Sequence, residues 1–360
     1  MSRILDIANS FQLNGRAVSA ENYGGGHIND TFRIRTDAGE SYILQRINTS
    51  VFKNAEALMD NVILVTNFIK EKISREGGEP ERGTLSVVMT RDGKNLYRDS
   101  EECWRVYTFI QGTITFQTCE NEEQFYASAS AFGHFQKLLA DFPADTLCES
   151  IPNFHNTKSR YLDFEAAVEA DSCGRAASVA AEIEFVRSRK EFAATLVDMQ
   201  ERGELPLRVT HNDTKLNNVL FDEKTGLPLA VVDLDTVMPG LSINDFGDSI
   251  RFGATYAAED EIDLNKVNFE PKLFECYTKG FLRECGSLMT ENEKKMLPVG
   301  AMMMTFECGM RFLTDYLNGD VYFKIHRENH NLDRCRTQFK LVSDMEAAKE
   351  LMDSIVEKYC

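Results

Sequence analysis

The hydrophobic period of this 360-residue chain changes once, near residue 111, and that change restricts it to a fold with two unlike halves. Before the change, residues 31–36, 41–47, 84–90 and 104–110 are short runs rich in aromatic and β-branched side chains, and each predicts a strand. One helix interrupts them over residues 54–71, where Leu58, Val62, Val65 and Ile69 recur at the spacing of an amphipathic helix lying on a sheet. Gly77-Gly78 and Asp92-Gly93 read as turns, the second joining Val87-Val88 to Asn95-Leu96-Tyr97 as a hairpin. After Gln111-Gly112, residues 121–140, 161–202, 291–317 and 331–359 read as long helices, with Pro298 their single internal proline. One β insertion sits among them, residues 218–221 and 229–232 flanking a turn-like stretch. The expectation is an α+β fold of two lobes, β-rich over residues 1–110 and mainly helical over 111–360, with ligand in the cleft between them.

Charge narrows the partners. Forty Lys and Arg against 57 Asp and Glu leave a net charge of −17 without a basic block, which argues against nucleic acid and anionic membrane. An acidic protein that handles phosphates must supply positive charge locally, from a metal ion, a few placed cations or helix N-termini. Nine cysteines form neither a zinc spacing nor a disulfide framework, and no run of 18 apolar residues occurs, so a reducing cytoplasm is the expected setting. Nothing here fixes the oligomeric state, and a monomer is compatible with it.

The most specific signal is His211-Asn212-Asp213-Thr214-Lys215-Leu216-Asn217-Asn218, followed past the β insertion by Val231-Val232-Asp233-Leu234-Asp235. This is the H-x-D-x-K-x-x-N spacing of a phosphotransfer loop with a second acid after the next strand. The chemistry needs an acceptor for a hydroxyl proton, oxygen ligands for Mg²⁺ and neutralisation of the moving phosphoryl group. Asp213, then Asn218 and Asp233, then Lys215 are the candidates in that order; the competing account makes the same residues loop caps and turn formers.

With these residues the chain resembles the aminoglycoside phosphotransferase superfamily, small-molecule kinases of protein-kinase-like fold, and within it the bacterial N-acetylhexosamine 1-kinases. The likeness runs through Gly24-Gly25-Gly26-His27-Ile28-Asn29, Tyr42-Ile43-Leu44-Gln45, Trp104-Arg105-Val106-Tyr107, the loop itself, residues 245–253 and residues 307–313. The resemblance implies that Asp213 is the catalytic base and that Asn218 and Asp233 hold magnesium.

Gly24, Gly25 and Gly26 could bring backbone N–H groups onto the ATP phosphates, with His27 beside them, or could form a plain hairpin turn. They are not a P-loop, because no Gly-Lys-Ser/Thr follows. Gln45 stands where protein kinases carry the strand lysine, so a neutral amide faces the phosphates; Arg46 lies on the opposite strand face, and Glu56 is the nearest helix acid, otherwise a solvated one. Tyr107, Thr108, Phe109 and Ile110 resemble the backbone segment that reads adenine.

In the helical half, Asp245 or Asp248 is expected to cap a helix start, with Asp248 also buttressing the loop, and Phe252 either walls the sugar pocket or packs in the core. Arg311 on an apolar helix has Asp315 at i+4 as an ordinary partner. The resemblance instead gives Arg311, with Asp320 and Tyr322, to sugar hydroxyls or the acetamido carbonyl. His326 and His330 are expected on a solvated helix face. The expectation is therefore an ATP- and Mg²⁺-dependent kinase acting on the anomeric hydroxyl of N-acetylglucosamine or N-acetylgalactosamine. The alternatives are a kinase for homoserine, choline or an aminoglycoside, and a catalytically silent nucleotide-binding regulator.

Overall fold

A computed structural model describes residues 2–24, 28–100, 102–119 and 121–360. The chain divides into two compact units. The first runs to Ile114 and adds Asp141–Pro152 and Leu220–Met238; the second comprises Thr115–Ala140, Asn153–Val219 and Pro239–Cys360. The expected division at residue 110 lies near the end of the first stretch, but most of the β insertion joins the first unit. Pairing explains this: Thr113 and Ile114 lie opposite Asp222 and Phe221, and Arg82 forms an ion pair with Asp222 at 3.1 Å.

The first unit opens with α1 (Ser2–Ala8) and β1 (Ala17–Asn22), continues through β2 (Asp30–Thr36), β3 (Ser41–Ile47), α2 (Ala55–Arg75) and the single turn α3 (Pro80–Gly83), and adds β4 (Val87–Val88), β5 (Tyr97–Asp99) and β6 (Glu102–Thr108). The strands form an antiparallel sheet in the order β1-β2-β3-β6-β4, with β5 also on β6. Neither α1 nor β1 is visible in the hydrophobic pattern, because β1 is an edge strand with mostly exposed side chains. The expected β4–β5 hairpin does not form. The turn at Asp92-Gly93 closes, with Thr90 N–H donating to the Lys94 carbonyl at 2.8 Å, but Val87 pairs with Tyr107 and Tyr97 with Trp104. The two short strands share one edge of β6 end to end.

Helix α2 starts as expected, its Asn54 side chain accepting from the Ala57 N–H, and buries Leu58, Met59, Val62, Val65 and Ile69. One sheet face packs Ile34, Leu44, Trp104 and Val106 with Ile7 and Phe11. Each such burial stabilises by roughly 1.5–3 kcal/mol.

The second unit is helical: α4 (Glu122–Leu138), α5 (Thr157–Ala170), α6 (Ala180–Arg187), α7 (Lys190–Glu201), α8 (Ser242–Gly253), α9 (Pro271–Cys285), α10 (Glu291–Leu317), α11 (His330–Ala347) and α12 (Lys349–Tyr359). The run expected as one helix over 161–202 is three, the first ending at Asp171 in the left-handed region, φ 36°. The run over 331–359 breaks at Ala348. Helix α10 has the expected bounds; Thr290 and Glu293 form a reciprocal capping box, and Met303, Met304, Phe306, Met310 and Leu313 fill the core. Helices α8 and α10 meet at two glycines: a Cβ on Gly247 would stand 2.3 Å from the Gly300 carbonyl oxygen, and one on Gly300 2.7 Å from that of Ile243. No helix among the described residues is long and apolar enough to cross a membrane.

Candidate active site

In the second unit the strand Arg208–Thr210 delivers the chain into His211, which is fully buried and meets Phe132 and Phe135 of α4 edge-on. Asn212 then takes a left-handed φ of 63°, which turns the following residues out of line. Such a turn leaves main-chain N–H groups facing the interior, where an unpaired donor costs about 1–3 kcal/mol. Helix α8 satisfies them. The Asp245 carboxylate accepts from the N–H groups of His211 at 2.9 Å and Asn212 at 2.8 Å, and from Gln136 Nε2 at 2.6 Å. Asp248 accepts from the Thr214 N–H at 2.9 Å and is held by Arg251 at 2.8 Å. Asp248 thus holds the loop as its sequence position suggests. Asp245 caps no helix start, because α8 begins at Ser242 and no side chain caps its first turn. Burial pushes the Asp245 carboxyl up, whereas Asp248, although buried, is held below the usual range by Arg251 and Lys215.

The loop so held presents Asp213, whose side chain is 28% exposed. Its Oδ1 lies 2.8 Å from Lys215 Nζ, and its Oδ2 accepts from Asn218 Nδ2 at 3.2 Å. The Asp213 carboxylate raises the Lys215 pKa against burial, which keeps the ammonium charged at neutral pH. Asn218 Nδ2 also donates to the Asp213 carbonyl at 2.8 Å, which commits the amide nitrogen and leaves the amide oxygen as the atom that could serve a cation. In the first unit, Asp233 adopts a left-handed φ of 60° and opens the single turn Leu234–Thr236. One carboxylate and one amide oxygen are hard donors of the kind Mg²⁺ takes when phosphates and water complete its shell. No group of three or more His, Cys, Asp or Glu side chains gathers for a metal among the described residues.

The expected nucleotide residues belong to the first unit. Gly24 has φ 76° and open space where a Cβ would stand; Gly25, Gly26 and His27 lie outside the described residues. Thr108 N–H donates to Ser86 and Phe109 N–H to Ser41, while the Ile110 N–H has no partner among the described residues. Tyr107 is buried among the sheet side chains. Gln45 accepts from Arg105 Nε at 3.0 Å and Nη2 at 2.8 Å, and donates to Thr31 Oγ1 at 3.0 Å. Arg46 is occupied on the other face, paired with Asp30 and with Glu102 at 2.5 Å. Glu56 pairs at the surface with Arg98. Both are thus engaged in ion pairs of their own. The cation beside Gln45 is Arg105, which sequence reasoning passed over, although strand parity places it opposite Gln45.

The acceptor candidates are in the second unit. Arg311 has neither an ion pair nor a hydrogen bond among the described residues; its guanidinium lies 5.4, 5.9 and 5.6 Å from the rings of Phe154, Tyr322 and Phe323. The ordinary partner, Asp315, is engaged elsewhere, accepting from the N–H groups of Val321, Tyr322 and Phe323 and from Asn331 Nδ2. Tyr322 is thus held beside Arg311 by its own backbone. Asp320 points away, with Arg175 at 2.6 Å and Asn331 at 2.9 Å, so it anchors this segment. Phe252 lines a separate cavity of about 300 Å³ with Tyr256, Glu259 and Gln338, and Arg311 and Tyr322 do not line it. His330 is not on a solvated face: it is buried, with Nε2 3.0 Å from Asp260 Oδ2.

A second buried pair, absent from the sequence reading, lies in the second unit. His155 Nδ1 lies 2.9 Å from Glu307 Oε1 and Nε2 lies 3.3 Å from the Asn212 carbonyl. A carboxylate and a carbonyl are both acceptors, so both ring nitrogens donate and the ring is an imidazolium. Burial works against that charge, but Glu307 outweighs it and the His155 pKa is raised, while that of Glu307 is lowered. A raised histidine pKa contributes stability that is complete below about pH 6.5 and lost as pH rises through the folded value. A lowered glutamate pKa contributes stability present above about pH 4.3 and lost as pH falls through the folded value. The unfolding free energy lost on His155→Gln should therefore be largest between these limits and shrink toward pH 9, as urea titrations of both proteins would show. A loss that does not vary with pH would contradict the imidazolium.

Comparison with known proteins adds a family. The sequence profile described as the phosphotransferase enzyme family matches residues 19–269. A microcompartment-associated aminopropanol kinase aligns over 98% of this chain and 98% of its own, at 13% identity and a TM-score of 0.62. An aminoglycoside phosphotransferase from Alicyclobacillus acidocaldarius aligns over 98% and 96%, at 12% identity and a TM-score of 0.64. A choline kinase from Cryptosporidium parvum aligns over 99% and 97%, at 14% identity and a TM-score of 0.57. At such identities these likenesses establish the fold, which is protein-kinase-like.

Proposed function

This chain belongs to the phosphotransferase enzyme family, and on that premise we propose that it is an ATP- and Mg²⁺-dependent kinase phosphorylating the anomeric hydroxyl of N-acetylglucosamine or N-acetylgalactosamine. The observation that carries the kinase reading is Asp213, a half-exposed carboxylate fixed between Lys215 and Asn218 on a loop hung from two buried aspartates. Asp213 orients the sugar O1 and accepts its proton as O1 attacks the γ-phosphorus in line; Lys215 offsets negative charge at the base and on the phosphoryl oxygens. Asn218 and Asp233 are assigned as the magnesium ligands. The ion supplies neutralisation of the phosphate charge. Gly24, Gly25, Gly26 and His27 are assigned to the ATP phosphates, and the backbone of Tyr107 to Ile110 to adenine.

The acceptor reading rests on Arg311. A guanidinium walled by three rings and making no ion pair or hydrogen bond among the described residues suits a neutral acceptor that offers a carbonyl and hydroxyl oxygens with an apolar face. An acetamido sugar has all three. A choline-like or aminoalcohol acceptor brings its own cation, which Arg311 would repel. Tyr322 is assigned as a wall for the sugar, whereas Phe252, which lines another cavity, is not. Incubation with ATP, Mg²⁺ and N-acetylglucosamine should give a sugar 1-phosphate by phosphorus NMR, and the methyl glycoside blocked at O1 should give none. Product from the blocked sugar would move the chemistry to another hydroxyl. Nucleotide binding without transfer to any acceptor would establish the silent regulator instead. Arg311→Met should raise the sugar KM at least tenfold and leave the ATP KM within about twofold; an unchanged sugar KM would remove Arg311 from the acceptor site.

A further inference from the structure

We propose that Arg105 is a positioning residue for the metal ligand of the nucleotide site, acting from β6 through Asp235 in a chain that lacks the phosphate-binding lysine protein kinases carry on β3, and that Gln45 is its holder. The inference rests on the ATP and Mg²⁺ reading above and concerns the first unit alone.

A lysine at position 45 would bring a flexible point charge toward the phosphates. This chain has a neutral amide there, and opposite it in the β3–β6 register stands Arg105, 1% exposed. All three guanidinium nitrogens are engaged. Nε and Nη2 converge on Gln45 Oε1, whose own amide nitrogen is fixed by Thr31 Oγ1. Nη1 lies 2.5 Å from Asp235 Oδ1 and 3.7 Å from the Met59 sulfur of α2. The three contacts run from β2 through β3 and β6 to Asp235, without a flexible link.

Asp235 is the node. It sits two residues after Asp233, inside the turn Leu234–Thr236, and is itself buried. Its Oδ2 accepts from Asn29 Nδ2 at 2.6 Å, and Asn29 Oδ1 accepts from the Asn48 N–H at the end of β3. Ser150 Oγ donates to its carbonyl at 2.9 Å. One carboxylate therefore joins the sheet cation, the chain entering β2 and the turn that begins at Asp233. A buried charge without its partner is strongly unfavourable, so Asp235 is held where Arg105 is, and the Asp233 backbone in its left-handed conformation follows. The positive charge stays on the sheet, beneath the turn, and acts on the metal ligand through Asp235 rather than by touching phosphate.

The test separates placement of Asp233 from mere stability. ADP affinity is measured by titration calorimetry with Mg²⁺ and with EDTA, on the wild type and on variants shown folded by circular dichroism. The quantity read is the gain in affinity that Mg²⁺ confers, which a fall in the folded fraction does not move. Asp235→Asn should cut that gain at least tenfold and Gln45→Met two- to fivefold. The exchange Gln45→Lys with Arg105→Gln, which returns the cation to β3, should restore it to within threefold of wild type. Asp235→Asn and Gln45→Met both retaining the wild-type gain would overturn the proposal, as would an exchange variant no better than Asp235→Asn. Where Asp235→Asn does not fold, Gln45→Met decides, since it keeps the ion pair and removes only the holder. A wild type whose ADP binding gains nothing from Mg²⁺ would instead count against the magnesium reading itself.

Discussion

Asp213→Asn should lower turnover by about three orders of magnitude, within the range expected on removing a general base, while ADP affinity stays within about twofold of wild type. The selectivity follows from the local contacts. The substituted amide keeps the size of the carboxylate and one oxygen, so Asn218 Nδ2 or Lys215 Nζ retains an acceptor. The loop keeps its shape because His211, Asn212 and Thr214 are held by Asp245 and Asp248, not by Asp213. What disappears is the anion that receives the hydroxyl proton. A variant that folds and turns over at near the wild-type rate would remove Asp213 from the mechanism and leave the loop as a binding device.

The second large effect is structural. Asp245→Ala should destabilise the protein by about 3–9 kcal/mol, because three buried donors lose their acceptor at roughly 1–3 kcal/mol each. Those donors are the N–H groups of His211 and Asn212 and the Gln136 amide. Against a total stability of about 5–15 kcal/mol this is a large fraction, visible as a fall in the urea midpoint. Asp245→Asn keeps one oxygen but turns an amide nitrogen toward donors, so it should fall between wild type and Asp245→Ala. A loss below about 1 kcal/mol for Asp245→Ala would mean that the loop is anchored elsewhere.

These residues mark what could be read from the sequence and what could not. The loop of Asp213, Lys215 and Asn218 was legible because its chemistry is local: eight consecutive residues fix the spacing. β3, α10 and the start of α2 were legible for the same reason, being set by period and caps within a few residues. Sheet pairing was not. Whether Val87-Val88 pairs with its sequence neighbour or with β6 is a competition between a short turn and a long central strand, and the central strand won. The partners of Arg105, Asp315 and His155 were hidden because each is chosen by tertiary packing. Asp315 stands one helical turn from Arg311, yet it gives its oxygens to three backbone N–H groups of the next segment, whose positions no period announces. Asp245, expected to cap a helix start, is instead buried and accepts from the loop and from Gln136 of α4, partners that only tertiary packing selects.

The contact of Gly247 with Gly300 decides where such an enzyme can acquire a new acceptor. Two helices touching backbone to backbone cannot slide or tilt to make room, and any side chain at either glycine would force them apart. The helix that hangs the phosphotransfer loop and the helix that carries Arg311 therefore behave as one rigid block. Directed evolution of acceptor preference has no purchase on that block. On the acceptor reading proposed above, it has purchase on residues 321–323, a short segment suspended by its amides from Asp315, where the suspension itself rests on the backbone. A library confined to those three positions and Phe154 would sample new acceptors on an unaltered catalytic chassis, whereas one spread over α8 and α10 would mostly yield chains that do not fold.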